Sequence, residues 1–129
     1  MSITWVGTIL IIETPFNKLE LISNYLGDRV YKIITATTAR ESLEIALEEK
    51  PNAIVIDVVM PGMSGFELCH FLKNYPIYQK VPIVICSIKN QENHYFWARK
   101  QGADACINKP YTPEELLSAI QSVEVFKHL

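Results

Sequence analysis

The fold of this 129-residue chain is decided by Ala53-Ile54-Val55-Ile56-Asp57 and by the loop after it, Met60-Pro61-Gly62-Met63-Ser64-Gly65. The apolar, mostly β-branched run predicts a strand buried on both faces, as in the parallel sheets of α/β proteins. The proline and the glycines predict a loop. Asp57 therefore stands where a buried strand ends, and it is the first candidate for a functional residue.

Similar apolar runs lie on both sides of this stretch and alternate with amphipathic segments. Further strands are predicted at Thr8–Ile12, Tyr31–Thr35, Pro82–Cys86 and Ala105–Ile107. Helices are predicted over Pro15–Leu26, from Thr38 to a stop before Pro51, over Phe66–Asn74, from about Gln91 to Lys100, and from Thr112 onward. Five strand–helix units in series predict a parallel sheet that is covered by helices on both faces.

Local signals define several helix ends and helix faces. Thr38 and Glu41 have the spacing of a capping box, in which the threonine hydroxyl accepts a hydrogen bond from the backbone N–H three residues later. Thr112 and Glu115 repeat this spacing. The helix over residues 66–74 is expected to bury Phe66, Cys69, Phe71 and Leu72. For Trp97 two interpretations stay open: a core residue, or part of a surface that binds a partner.

Composition bounds the class of protein. Hydrophobic residues make up 49% and charged residues 20% of the chain, which is typical of one globular domain of this length. The net charge of −2 and the absence of a Lys/Arg cluster disfavour nucleic-acid binding. No apolar run approaches the length of a membrane span. The cysteines at 69, 86 and 106 share no metal-ligand spacing, so we expect reduced thiols and a cytoplasmic protein.

Polar side chains follow several of the predicted strands. Glu13 and Thr14 come after the first strand, Asp57 after the third, Ser87 after the fourth and Lys109 after the fifth. The carboxyl ends of parallel strands meet at one edge of the sheet, which is where ligands of such folds bind. We therefore expect these side chains to converge on one site.

Three motifs in this order resemble the receiver domains of bacterial two-component response regulators, the CheY-like family. Residues 54–65 resemble the family's phosphorylation-site segment, residues 81–87 its fourth strand with the switch Ser/Thr, and residues 102–111 its fifth strand with the Lys-Pro pair. The resemblance runs from Thr8 to about Val123, so residues 1–129 are expected to be a single receiver domain with its core at about 8–123. It implies a flavodoxin-like, doubly wound, five-stranded parallel sheet of order 2-1-3-4-5.

The resemblance also implies roles. Asp57 would accept a phosphoryl group from a histidine kinase or phosphotransfer protein, and Lys109 would pair with the phosphoryl oxygens. Ser87 would donate a hydrogen bond to the phosphoryl group and act as the switch residue. Mg²⁺ would be held by Asp57, by a carboxylate after the first strand and by the backbone carbonyl of Val59. The bond before Pro110 is expected to be cis.

Such a domain is a phosphoacceptor that at most catalyses its own phosphorylation and dephosphorylation. With no output domain in 129 residues, its output would be a protein contact. The family's face for that contact would consist here of the helix ending at Lys100, the fifth strand and the last helix. Residues 90–104 further resemble regulators of twitching-motility or taxis systems. No nucleic-acid partner and no membrane insertion are expected.

Three positions depart from the family's pattern. The strand and helix spacing aligns Glu13 with the first residue of the family's acidic pair and Thr14 with the second, whereas an alignment on Pro15 moves Glu13 to the second place. One acid is missing in either case, so we expect weaker Mg²⁺ binding than in a standard receiver. Ile88 replaces a small residue beside the switch serine. Cys106 replaces the aromatic residue that usually turns inward on activation.

Other functions compete with phosphoryl acceptance. A pseudo-receiver would bind partners without phosphorylation, and the missing acid, Ile88 and Cys106 favour it, whereas Asp57, Ser87 and Lys109 oppose it. A flavin- or nucleotide-binding protein needs a phosphate-cradling loop after the first strand, but here that loop has no glycine and begins with Glu13. A hydrolase is disfavoured because the chain has neither GxSxG nor HExxH.

Overall fold

The computed structural model describes residues 7–12, 31–60, 62–88, 92–109 and 111–127. Within these ranges five parallel strands form one sheet of order β2-β1-β3-β4-β5. The strands are β1 (Gly7–Ile12), β2 (Tyr31–Ala36), β3 (Ala53–Asp57), β4 (Ile83–Ile88) and β5 (Ala105–Lys109). The α/β doubly wound fold and its predicted strand order are thereby confirmed.

Four described α-helices flank the sheet. They are α1 (Ala39–Glu49), α2 (Gly65–Lys73), α3 (Glu92–Lys100) and α4 (Pro113–Lys127), and a short 3-10 helix (Pro76–Tyr78) follows α2. The predicted helix over Pro15–Leu26 lies outside the described residues. Among the helices that are described, none is both long enough and apolar enough to cross a bilayer.

The core is split into two clusters by the sheet, because alternate residues of each strand point to opposite faces. On one face, Leu10, Ile54 and Ile85 lie in a cluster with residues of α1, α2 and α3. On the other face, Val55 and Val84 pack with residues of α4. Both faces are therefore covered, which explains why the central strands read as unbroken apolar runs.

Helix starts follow the polar signals in the sequence. The Thr38 hydroxyl accepts a hydrogen bond from the Glu41 N–H at 3.1 Å, and the Thr112 hydroxyl accepts one from the Glu115 N–H at 3.1 Å, as predicted. A third start of the same kind was not anticipated: the Ser64 hydroxyl accepts from the Glu67 N–H at 3.2 Å. This cap fixes where α2 begins, immediately after the loop that follows Asp57.

The structure corrects the expected burial of Phe71 and decides between the two interpretations of Trp97. Phe71 was expected to point inward, but it is 44% exposed, and Leu68 fills the core instead. The reason is the helical period: Leu68 and Leu72 share the inner face of α2 with Cys69, while Phe71 falls on the outer side. Trp97 is 46% exposed, which favours the surface interpretation over a core position.

The amino ends of β4 and β5 are joined by a partly buried ion pair, called here the ionic clamp. The Asp104 carboxylate accepts a hydrogen bond from the Ile83 N–H at 2.8 Å and pairs with the Lys73 ammonium at 2.7 Å. The same ammonium donates to the Val81 carbonyl at 2.8 Å. This clamp fastens α2 and two strands together at the edge of the sheet opposite to Asp57.

Candidate phosphoryl-acceptor site

The strand register brings the predicted site residues to one edge of the sheet. Asp57 at the end of β3 is aligned with Cys86 of β4, one residue before Ser87. Ser87 is aligned with Asn108 of β5, and position 88 with Lys109. Three segments far apart in sequence therefore end together. β4 and β5 extend two residues beyond their predicted ends, so Ser87 and Lys109 lie within strands that hold their backbones rigid.

The centre of the site is an ion pair between Asp57 and Lys109. The Lys109 Nζ lies 2.7 Å from the Asp57 Oδ2, with 14% and 4% of the two side chains exposed. Asp57 as a whole is 3% exposed, which is rare for an aspartate without a charged partner. The structure thus presents a carboxylate whose charge is balanced by a lysine that the sequence places 52 residues later.

The second carboxylate oxygen of Asp57 is held only weakly. Its Oδ1 accepts a hydrogen bond from the Val59 N–H at 3.3 Å, near the upper limit for such a bond. Val59 itself is 63% exposed, whereas only 4% of the Asp57 side chain is exposed. Oδ1 therefore has a weaker described partner than Oδ2, which pairs with Lys109.

The backbone around Asp57 is fixed from both directions. The Val58 N–H donates to the Cys86 carbonyl at 3.1 Å, and the Gly65 N–H donates to the Val58 carbonyl at 2.9 Å. A Cβ at Gly65 would overlap the Asp57 carbonyl oxygen. Glycine is therefore required where α2 touches the end of β3. This close approach couples the start of α2 to the position of Asp57.

Ser87 is the other described polar side chain that the fold buries at this edge, with 1% exposed. Its neighbour Ile88 was expected to restrict access to the site, but the Ile88 side chain lies outside what the structure describes. Cys106, expected as the altered switch position, is half-buried, and burial raises the pKa of its thiol to about 11. At neutral pH it is therefore an uncharged, weakly polar side chain and no substitute for an aromatic hydroxyl.

The oxygen donors for a cation are present in part among the described residues. The Asp57 carboxylate and the Val59 carbonyl are hard oxygen ligands of the kind that Mg²⁺ prefers. Glu13, Thr14 and the Lys109–Pro110 bond fall outside the described ranges. In the part of the chain that is described, no three His, Cys, Asp or Glu residues form a metal-binding group. All three cysteines are free.

A covered parallel sheet with an aspartate and a lysine paired at its carboxyl edge defines the class of protein. The family model of the response regulator receiver domain matches residues 9–121. The chain belongs to this family, which acts in two-component signalling.

Individual relatives support this assignment. Protein PilH of Pseudomonas aeruginosa is 29% identical over 115 residues, which cover 89% of this chain and 95% of PilH. The phosphate regulon transcriptional regulatory protein PhoB of the same bacterium is 30% identical over 116 residues, which cover 90% of this chain and 51% of PhoB. The solved structure of the chemotaxis response regulator CheY4 of Vibrio cholerae matches with a TM-score of 0.83 and 28% identity, covering 91% of this chain and 98% of CheY4. The chain thus spans nearly all of PilH and CheY4 but about half of PhoB.

Proposed function

We propose that Asp57 is the residue of this receiver domain that accepts the phosphoryl group. The observation that carries this proposal is the buried Asp57–Lys109 pair at 2.7 Å, with the second carboxylate oxygen held only by a 3.3 Å hydrogen bond. A buried carboxylate with a balanced charge and one weakly held oxygen has what a nucleophile at this edge requires. A pseudo-receiver has no need of this combination.

The chemistry is an in-line displacement at phosphorus. An Asp57 carboxylate oxygen attacks the phosphoryl group of a phosphohistidine, and a P–O bond forms as the P–N bond breaks. The nitrogen leaves with the electron pair of that bond, as neutral imidazole whose other ring nitrogen carries the proton. The product is an aspartyl phosphate. Transfer of this kind relies on positioning and charge neutralisation, and Lys109 is placed to neutralise the phosphoryl oxygens. The protein is then a phosphoacceptor and not an enzyme acting on a separate substrate.

Two further parts of the site follow from the proposal. A divalent cation such as Mg²⁺ would be held by Asp57, the Val59 carbonyl and Glu13, with Thr14 at the degraded position, and would offset the negative charge of the phosphoryl group. With one acid fewer we expect this binding to be weak. Ser87 would turn its hydroxyl toward the bound phosphoryl group, and Cys106 would be the neighbouring position that senses this movement.

The expected partners and location of the protein follow from a phosphohistidine donor. The partners would be a histidine kinase or a phosphotransfer protein and a downstream protein that binds the face formed by α3, β5 and α4. Because histidine kinases draw their phosphoryl group from ATP, we place this step in the cytoplasm. We take residues 1–129 as one receiver unit. The similarity to a chemotaxis regulator favours a taxis or twitching-motility system.

The proposal is tested by incubating the chain with a small-molecule phosphodonor, with and without Mg²⁺, and reading the intact mass. The expected result is a Mg²⁺-dependent gain of one phosphoryl group that is absent in Asp57→Asn. The unchanged mass of the wild-type chain at every Mg²⁺ concentration, both with this donor and with phosphorylated kinases, would contradict the proposal and leave the pseudo-receiver as the better description.

A further inference from the structure

A groove runs between α1 and α2 on the face of the sheet that both helices cover. α1 contacts β1 and β2, whereas α2 contacts β3 and β4, so the two helices lie side by side over neighbouring strands. Each helix begins after the end of one strand and ends before the start of the next. Both therefore run from the carboxyl edge of the sheet back to its amino edge, parallel to each other.

On the α1 side of this groove stands an exposed leucine. Ala46 is buried and marks the inner side of the helix. At about 100° per residue, Leu47 lies about 100° from Ala46 in one direction, and Glu49 lies about 60° from it in the other. Glu49 faces the edge strand β2, where it pairs with Lys32 at 3.6 Å. Leu47, which is 54% exposed, therefore faces α2.

On the α2 side stand two exposed aromatic rings. Lys73 extends toward β5, where it pairs with Asp104 at 2.7 Å. Measured from the buried Leu68, Lys73 lies about 140° around the helix in one direction and Phe71 about 60° in the other. Phe71 therefore points outward and toward α1. Tyr75, whose ring stacks on that of Phe71 with centroids 6.1 Å apart, continues the same surface.

These side chains gather much of the exposed apolar surface in one place. Leu47, Phe71, Tyr75 and Ile77 of the following 3-10 helix are called here the α1–α2 groove, and each is between 44% and 61% exposed. They are four of the seven large apolar side chains that are exposed in the described part of the chain. The Tyr75 ring also lies 5.8 Å from that of the buried Tyr78, which fixes its position. A concentrated apolar surface of this kind is typical of a protein contact.

The charges on the α2 side of the groove are separated along its length. Glu67 stands at the start of α2 on the same side as Phe71, and Lys80 follows the 3-10 helix at the other end. Both are exposed, and neither takes part in the ion pairs formed among the described residues. Residues 68–91 contain no Asp or Glu. This side of the groove is therefore acidic at the carboxyl edge and basic at the amino edge.

We propose that the α1–α2 groove is the contact surface of a dimer of this chain, with the second copy related by a two-fold axis. Such an axis places a surface against the same surface of the partner in the reverse direction, so the surface must be complementary to itself. With the axis between Phe71 and Tyr75, each Phe71 ring packs on the Tyr75 ring of the second copy. The reversal also brings Glu67 of each copy toward Lys80 of the other, so unlike charges meet at both ends.

A partner of uniform charge would fit this surface less well, because it would meet a like charge at one end of the groove. The groove includes neither Asp57 nor the face formed by α3, β5 and α4, so the dimer goes beyond the proposed function. Loss of the dimer leaves the phosphorylation proposal untouched, and the reverse is also true. Four exposed apolar side chains from each copy make a small interface, so the dimer is expected to be weak.

The first experiment is sedimentation velocity of the unphosphorylated wild-type chain at concentrations from about 5 μM to about 500 μM. The sedimentation coefficient should rise from the value of a monomer toward that of a dimer. Phe71→Ala should raise the dissociation constant about tenfold or more, because it removes a central ring from both halves of the interface. Phe96→Ala removes an exposed ring of α3 outside the groove, and this control should leave the constant within about twofold.

Two charge variants then test the two-fold arrangement. Glu67→Lys and Lys80→Glu each place like charges opposite one another in their own dimers, so each alone should dimerise about tenfold more weakly. An equal mixture of the two should dimerise about as well as the wild type, because unlike charges then meet at both ends. The proposal is overturned if the wild-type chain stays monomeric or grows beyond a dimer, or if Phe96→Ala weakens the dimer as much as Phe71→Ala. It is also overturned if the mixture associates no better than the single variants.

Discussion

Two aspartate–lysine pairs lie at opposite edges of the sheet, and both have an N···O distance of 2.7 Å. Asp57 and Lys109 meet at the carboxyl edge, and Asp104 and Lys73 meet at the amino edge. The Asp104 pair is tied into the backbone, because Asp104 also accepts from the Ile83 N–H at 2.8 Å and Lys73 donates to the Val81 carbonyl at 2.8 Å. Among the described residues, the Asp57 carboxylate has one further contact, the 3.3 Å bond from the Val59 N–H.

The difference separates a structural ion pair from the pair that we propose to be reactive. At the amino edge both partners use their hydrogen-bonding capacity on neighbouring strands, so the pair stabilises the fold and is costly to break. At the carboxyl edge one oxygen of the aspartate is held only by a long hydrogen bond, so that oxygen can form a new bond more readily. Charge and distance alone do not distinguish the two sites, but the backbone contacts do.

The largest effect is expected at the glycine that joins α2 to Asp57. Gly65→Ala places a methyl group against the Asp57 carbonyl and should lower the free energy of unfolding by about 3 kcal/mol or more. Gly62→Ala is the matched control. Gly62 has a φ of +81° but open space around it, so only backbone strain of about 1 kcal/mol is expected. Urea unfolding measures both, and equal losses would show that the close approach at Gly65 is unimportant.

Replacing Lys109 should mainly lower the phosphorylation rate, whereas replacing Lys73 should mainly lower stability. Lys109→Gln should slow phosphorylation of Asp57 by about a hundredfold, because it removes the cation that we propose to neutralise the phosphoryl oxygens. Lys73→Gln should leave that rate within about twofold, since it lies at the other edge of the sheet, and should instead lower stability. Both rates are read by intact mass under the same donor and Mg²⁺ concentrations. A comparable loss of rate in Lys73→Gln would contradict the division between the edges.

A smaller effect is expected at the aspartate of the structural pair. Asp104→Asn keeps an oxygen for the Ile83 N–H but leaves the Lys73 ammonium, which is 12% exposed, without its countercharge. The free energy of unfolding should fall by about 2 kcal/mol. Lys32→Gln removes an exposed ion pair with Glu49 at 3.6 Å and should change the free energy of unfolding by less than about 0.5 kcal/mol. If the two variants unfolded at the same urea concentration, the Asp104–Lys73 pair would stabilise the fold no more than an exposed ion pair does.

The smallest effect is a pH dependence at the amino edge. Cys69 donates to the Gln101 carbonyl, and burial raises the pKa of its thiol from 9.0 to about 12. Below pH 9 the thiol is protonated in the folded and unfolded chain alike, so stability is unaffected. Between pH 9 and about 12 only the unfolded chain ionises, so stability should fall, by about 1 kcal/mol at pH 10. The measurement is urea unfolding at pH 8 and pH 10, and Cys69→Ala, although less stable at both, should show a smaller difference.

The sheet was predictable from the sequence because burial on both faces leaves unbroken apolar runs, as in Ile54-Val55-Ile56. Asp57, Ser87 and Lys109 were predictable as one group because each ends such a run. The outward position of Phe71 was not, since a short helix with many apolar residues leaves its inner face ambiguous. The Ser64 cap could have been predicted, because a serine three residues before a glutamate is a helix-start pattern. It was missed because residues 60–65 had already been assigned to a loop from their proline and glycines.

The amino-edge pair could not be predicted, because nothing in the sequence relates Lys73 to Asp104. Each is an ordinary charged residue near the end of a helix or the start of a strand, and only the folded chain brings them together. The exposed position of Trp97 was half predictable: the sequence left a core and a surface position open, and the choice depends on which side of α3 packs against the sheet. Glu13 and Thr14, which align with the family's acidic pair, lie outside the described residues, so the weaker Mg²⁺ binding stays a prediction.

The most direct test of the division between the two edges is to map the phosphorylated residue. The chain is treated with a phosphodonor and Mg²⁺ and reduced with borohydride, which converts an aspartyl phosphate to homoserine with release of phosphate. It is then digested and sequenced by mass spectrometry. We predict homoserine at position 57 in the wild-type chain and in Asp104→Asn, and none in Asp57→Asn. Homoserine at position 104, or at any position other than 57, would contradict the assignment of Asp57 as the acceptor.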